Sequence, residues 1–121
     1  MTGLTRTDRA IISRFVFSPE FMGFQGHFPA QKVLPGACQI QCVLTTIGIA
    51  NKKAVGLKEI LLAKYFTPVL PHEEVTCTVS GIGDEGSESI YKAVVTKGAV
   101  KVAEMKLLVS LKAGKRKQRN I

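Results

Sequence analysis

The sequence predicts an α+β domain in which an antiparallel β-sheet wraps around one long central helix. Two observations carry this expectation. The run from Pro35 to Ala50 is apolar on nearly every helical face, so it needs cover nearly all round. After it come strand-like segments separated by short turns, and consecutive strands joined that way pair antiparallel. A sheet curling around the helix is the simplest packing of those parts.

The elements follow in order. Residues 1–9 are polar and are expected to be loose, whereas Ala10 to Phe17 is β-branched and aromatic and reads as the first strand. Ser18 to Leu34 reads as a long loop, of a length usually reserved for function. Its Phe21, Phe24 and Phe28 predict that it packs onto the body. The helix opens at Pro35, where the missing N–H costs nothing because a first-turn donor has no partner within the helix. Ala37, Ile40, Val43, Leu44, Ile47 and Ala50 recur at helical spacing, and the polar Gln39 and Gln41 are expected to be buried with them. Asn51, Lys52 and Lys53 end the helix with cations that suit its C-terminal dipole.

Ala54 to Phe66 is a long β-capable segment, and Thr67 to His72 a proline-bounded turn. From Glu74 to Ile82, Val75, Cys77 and Val79 alternate with Thr76, Thr78 and Ser80, the pattern of a half-buried strand. Gly83 to Ser87 is a turn by composition. Ile90 to Lys97 and Val100 to Lys112 complete a three-stranded meander across Gly98 and Ala99. Residues 1–113 are expected to form one domain and residues 114–121 a loose basic tail. Unpaired sheet edges make a homodimer the expected assembly.

Charge and cysteine usage narrow the class. The formal charge is +8, and Lys115, Arg116, Lys117 and Arg119 supply four of those charges, which leaves a body that is only mildly basic. A short solvated tail is the plain reading, so no nucleic-acid partner is expected, while the basic body suits an acidic protein partner. The three cysteines, Cys38, Cys42 and Cys77, are an odd number. With no apolar leader in Met1 to Arg6, they are read as reduced, buried thiols of a cytoplasmic protein. No metal site, no cofactor and no membrane span are expected.

One stretch carries chemistry. Gly26-His27-Phe28-Pro29, a three-residue spacer, then Val33-Leu34-Pro35-Gly36 and an apolar helix resemble the signature of the β-hydroxyacyl-acyl-carrier-protein dehydratases. Ala63 to Pro71 (AKYFTPVLP) is similar to that family's strand and turn after the helix. The resemblance implies a hot-dog fold, usually dimeric, acting on acyl thioesters carried by acyl carrier protein or coenzyme A. By the same resemblance, His27 would remove the proton next to the thioester carbonyl. The Gly36 N–H would hold the thioester oxygen, in agreement with the general preference of helix N-termini for negative charge. Pro35 would border the substrate, and Phe21, Phe24 and Phe28 would wall the acyl chain. In this family the histidine and the acid of one site come from opposite protomers.

Gln41 departs from the pattern, because it stands where the family has glutamate or aspartate. Glutamine donates a hydrogen bond but hands over no proton near neutral pH. None of the nine carboxylates lies between Phe21 and Lys58, so the helix offers no replacement. Three readings remain open: a (3R)-hydroxyacyl-thioester dehydratase or hydratase, impaired or altered by Gln41; a thioesterase on the same scaffold; and a non-catalytic acyl-binding subunit that pairs with an intact homologue.

Overall fold

The computed structural model describes residues 1–21, 33–85 and 87–113. Its elements are β1 (Gly3–Arg6), β2 (Ile11–Phe15), α1 (Gly36–Asn51), β3 (Lys53–Tyr65), β4 (Val75–Glu85), β5 (Glu88–Lys97) and β6 (Val100–Ala113). The six strands form one sheet in the order β1-β2-β4-β5-β6-β3, with every neighbouring pair antiparallel. The helix lies on one face of this sheet, packed against β2, β3 and β4. The expected meander is present as β4-β5-β6.

Alternation places the core. Val75, Cys77 and Val79 of β4 are buried, as are Ala93 and Val95 of β5 and Met105, Leu107 and Val109 of β6. From the helix they meet Ile40, Cys42, Val43 and Ile47. A polar link crosses the same layer: the Ser13 and Thr46 hydroxyls are 2.6 Å apart, and the Thr46 hydroxyl donates to the Cys42 carbonyl at 2.8 Å. Burial pushes the Cys42 thiol up to about 12 and the Cys77 thiol up to about 11. These cysteines therefore stay protonated and act as small apolar packing groups.

Three expectations need correction. Residues 3–6, expected to be loose, form β1, because an amphipathic partner lies beside them in β2. That strand brings the Arg6 guanidinium to the Ala50 carbonyl at 2.7 Å, where a cation compensates the helix C-terminus. The Gly83-to-Ser87 turn is shorter than composition suggests, since β4 continues through Gly83↔Ile90, Asp84↔Ser89 and Glu85↔Glu88. Finally, α1 is not covered all round. Ala37, Gln41 and Ile49 are exposed, because the sheet closes over only one side of the helix.

Among the described residues, two with side chains occupy the left-handed region: Lys52, which caps α1 with φ 54°, and His72 with φ 71°. The His72 N–H donates to the Phe17 carbonyl at 2.9 Å, so the turn is held in that conformation. The imidazole is exposed. His72→Gly is expected to stabilise the fold by about 1 kcal/mol after the added unfolded-state entropy is subtracted. The denaturant midpoint should rise; an unchanged or lower midpoint would show that the imidazole makes a compensating contact.

Candidate active site

The site is built on the first turn of α1. Leu34 N–H donates to the Val69 carbonyl at 2.8 Å, which ties the segment before the helix to the turn after β3. Pro35 then caps the helix in an extended conformation, φ −63° and ψ 151°. The N–H groups of Cys38 and Gln39 reach back to the Pro35 carbonyl at 3.0 and 3.3 Å. Among the described residues, the N–H groups of Gly36 and Ala37 donate to no backbone carbonyl. Free donors and the positive end of the helix dipole thus coincide at Gly36.

Gly36 is glycine for reasons of space. The Tyr65 ring, from the end of β3, lies directly against it: a Cβ built there would stand 2.6 Å from the ring Cζ and 2.7 Å from the hydroxyl oxygen. Burial raises the Tyr65 phenol above its usual 10, so the hydroxyl remains a donor. A cavity of about 260 Å³ opens here, lined by Leu34, Gly36, Gln39, Tyr65, Phe66 and Pro68 among others. Gln39 is 4% exposed, and its Oε1 has no hydrogen-bond partner among the described residues.

A second cavity, of about 250 Å³, lies on the other flank of the same turn. Phe15, Phe17, Phe21, Cys38, Gln41 and Cys42 contribute to it. The aromatic wall is continuous: the Phe15 and Phe17 rings stack 6.3 Å apart, and the Phe17 and Phe21 centroids are 4.6 Å apart. Gln41 is exposed rather than buried, because it falls on the uncovered side of α1. Its Nε2 donates to the Thr45 hydroxyl at 3.3 Å.

The expected site residues are therefore distributed in two groups. Phe21 and Gln41 share the aromatic cavity, Gly36 opens the other, and Pro35 caps the helix that separates them. His27, Phe24 and Phe28 lie outside the described residues. Sequence reasoning left Tyr65 and Gln39 out of the site. A glutamine in an otherwise apolar helix was the available signal for Gln39; for Tyr65 there was none beyond its place in the segment after the helix. Among the described residues, no group of His, Cys, Asp and Glu side chains could hold a metal ion, and no helix is long and apolar enough to cross a membrane.

The turn that borders the Gly36 cavity has its own anchor. Glu73 Oε1 accepts hydrogen bonds from Lys97 Nζ at 2.9 Å and from the Leu70 N–H at 2.8 Å, and Lys97 Nζ also donates to the Pro68 carbonyl at 2.9 Å. The Lys97 hydrogen bond, with the Leu70 N–H second, holds the Glu73 carboxyl below its ordinary 4.5. A carboxyl lowered on folding stabilises fully above its unfolded value and loses that contribution as pH falls through the folded one. Wild type should therefore melt above Glu73→Gln at neutral pH, and the gap should close as the pH falls below the ordinary carboxyl value and through the lowered one. Parallel melting curves at every pH would contradict this anchor.

Comparison with known proteins bears on the family and the fold. A family model described as ApeI dehydratase matches residues 4–106. The 3-hydroxyacyl-[acyl-carrier-protein] dehydratase FabZ of Ehrlichia chaffeensis is 26% identical over 106 residues, which cover 84% of this chain and 73% of that protein. Among solved structures, the dehydratase heterocomplex ApeI:P from Xenorhabdus doucetiae superposes with a TM-score of 0.72 at 16% identity, over 90% of this chain and 95% of that one. The fluoroacetyl-CoA thioesterase FlK superposes with a TM-score of 0.73 at 12% identity, over 88% of this chain and 87% of that one. At these identities the two structures show a shared hot-dog fold alone. The sequence match over residues 4–106 goes further, and by it the chain belongs to the ApeI-like dehydratase family.

Proposed function

We propose that the chain is a (3R)-hydroxyacyl-thioester dehydratase- or hydratase-type subunit. Its substrates would be acyl chains on acyl carrier protein, in cytoplasmic fatty-acid-type metabolism, and its own turnover would be slow. The observation that carries this reading is the first turn of α1, with free donors at Gly36 on one flank and an aromatic slot at Gln41 on the other. In the dehydration direction, His27 takes the proton next to the carbonyl while the Gly36 N–H stabilises the charge that builds on the thioester oxygen. A preorganised donor of that kind contributes about 3–4 kcal/mol to lowering the barrier. The departing hydroxyl needs a proton as well. Gln41 offers it only a hydrogen bond, and the loss of a general acid lowers rates by roughly 10²- to 10⁴-fold.

Assembly matters to this reading. β3 is an edge strand, and Leu57, Ile60, Leu61, Tyr65 and the adjacent Phe66 are exposed along it. Within one protomer Gly36 and Gln41 line different cavities, and pairing of two protomers along β3 would complete each site with residues of both, as the family resemblance implies. A homodimer would then carry glutamine at both sites. A mixed dimer with a homologue that has the helix carboxylate would restore one complete site, and the ApeI:P relative is itself a heterocomplex.

The test is an assay of the purified protein with 3-hydroxybutyryl and crotonyl thioesters of acyl carrier protein and of coenzyme A, with enoyl-thioester absorbance and free thiol followed together. Slow interconversion, abolished by His27→Ala, is the expected result. Thiol release without interconversion would move the reading to a thioesterase. If neither occurs above the uncatalysed rate, the catalytic reading fails and the partner-subunit reading stands.

A further inference from the structure

Gln39 is the polar group that the proposed chemistry leaves unused. It sits one turn inside α1, 4% exposed, and it lines the cavity that opens at Gly36. Its Oε1 has no hydrogen-bond partner among the described residues. An unpaired buried carbonyl is costly enough that native structures rarely keep one without a use. An apolar residue of the same shape would fill the position at no such cost.

We infer that Gln39 is a specificity-determining residue: its Oε1 accepts a hydrogen bond from a donor group of the bound acyl thioester. The inference rests on the acyl-thioester reading of the site and deepens it. Two kinds of group meet in this cavity. The Gly36 N–H group and the Tyr65 hydroxyl are donors, and they select an acceptor oxygen such as the thioester carbonyl. Gln39 Oε1 only accepts, so the same ligand must also present an O–H or N–H close to that carbonyl. A 3-hydroxyacyl thioester carries such groups in two places: the hydroxyl on C3 of the acyl chain, and the first amide N–H of the carrier arm beyond sulfur. A saturated or enoyl chain lacks the first. A site that holds a hydrogen-bond acceptor for a ligand donor discriminates against analogues without it, since binding them leaves the acceptor unpaired.

Small thioesters separate these sources. Wild type and Gln39→Met would be titrated with the N-acetylcysteamine thioesters of 3-hydroxybutyrate and butyrate, and with the S-propyl thioesters of the same two acids, which lack the amide. Melting curves would establish that the variant is folded. We expect wild type to prefer the ligand with the donor by about tenfold and Gln39→Met to lose that preference. A lost preference for hydroxybutyrate over butyrate assigns the donor to the C3 hydroxyl. A lost preference for the N-acetylcysteamine over the propyl thioesters assigns it to the amide. If Gln39→Met keeps both preferences at their wild-type size, or wild type shows neither, the inference is overturned while thioester binding itself stands. If wild type binds none of the four thioesters, the acyl-thioester reading falls and takes the inference with it.

Discussion

Gln41→Glu is expected to raise the rate of hydration and dehydration of 3-hydroxyacyl and enoyl thioesters by roughly 10²- to 10⁴-fold, the range that general acid–base catalysis contributes. The substitution is nearly isosteric and falls on an exposed position of α1, where the amide donates to the Thr45 hydroxyl at 3.3 Å. It therefore changes chemistry with little change in packing. The new carboxyl would border the slot lined by Phe15, Phe17 and Phe21. An apolar wall disfavours the charged form and raises the pKa, which suits a group that must donate a proton near neutrality. Activity should accordingly gain an alkaline limb that wild type lacks, as the carboxyl loses its proton. A gain of less than threefold at every pH would show that the slot serves some task other than protonating a departing hydroxyl.

The helix and the meander were legible because their signals are local. Proline at the N-cap, an apolar run and period-two alternation from Val75 to Val79 each act through backbone propensity or burial, and each element stands within a few residues of its expected place. β1 was not legible, since four residues acquire strand structure only through pairing with β2. The exposure of Gln41 was missed for a related reason. Helix composition shows how much cover is needed, but the share supplied by the same chain depends on how far the sheet curls. Among the described residues of the candidate site, Gly36, Pro35 and Gln41 were nominated through a motif and Phe21 through the aromatic content of the loop before it. Tyr65 and Gln39 were left out because their roles arise from juxtaposition: an edge-strand ring laid on a helix glycine, and a carbonyl left unpaired beside it.

That juxtaposition makes Gly36→Ala the second large effect. Alanine is the better helix former, and Gly36 does not sit at positive φ, so backbone preference alone predicts a small gain. The Tyr65 ring reverses it. An added methyl 2.6 Å from Cζ must displace the ring, and overpacking of this kind costs about 1–3 kcal/mol. Tyr65 is 47% exposed, so the ring has room to swing away, and the lower part of that range is expected. Function should suffer more than stability, because the methyl and the displaced ring stand in front of the free N–H groups of the first turn. Loss of one preorganised oxyanion donor lowers turnover by about 10²- to 10³-fold. The contrast is clearest in the Gln41→Glu background, where turnover is large enough for such a loss to be measured. Adding Tyr65→Ala to Gly36→Ala should recover the stability lost to overpacking, since the clash is removed, but not the turnover, since the methyl still covers the donors. Recovery of both would reduce Gly36 to a packing residue. Full activity of Gly36→Ala by itself would mean that the thioester oxygen is held somewhere other than the start of α1.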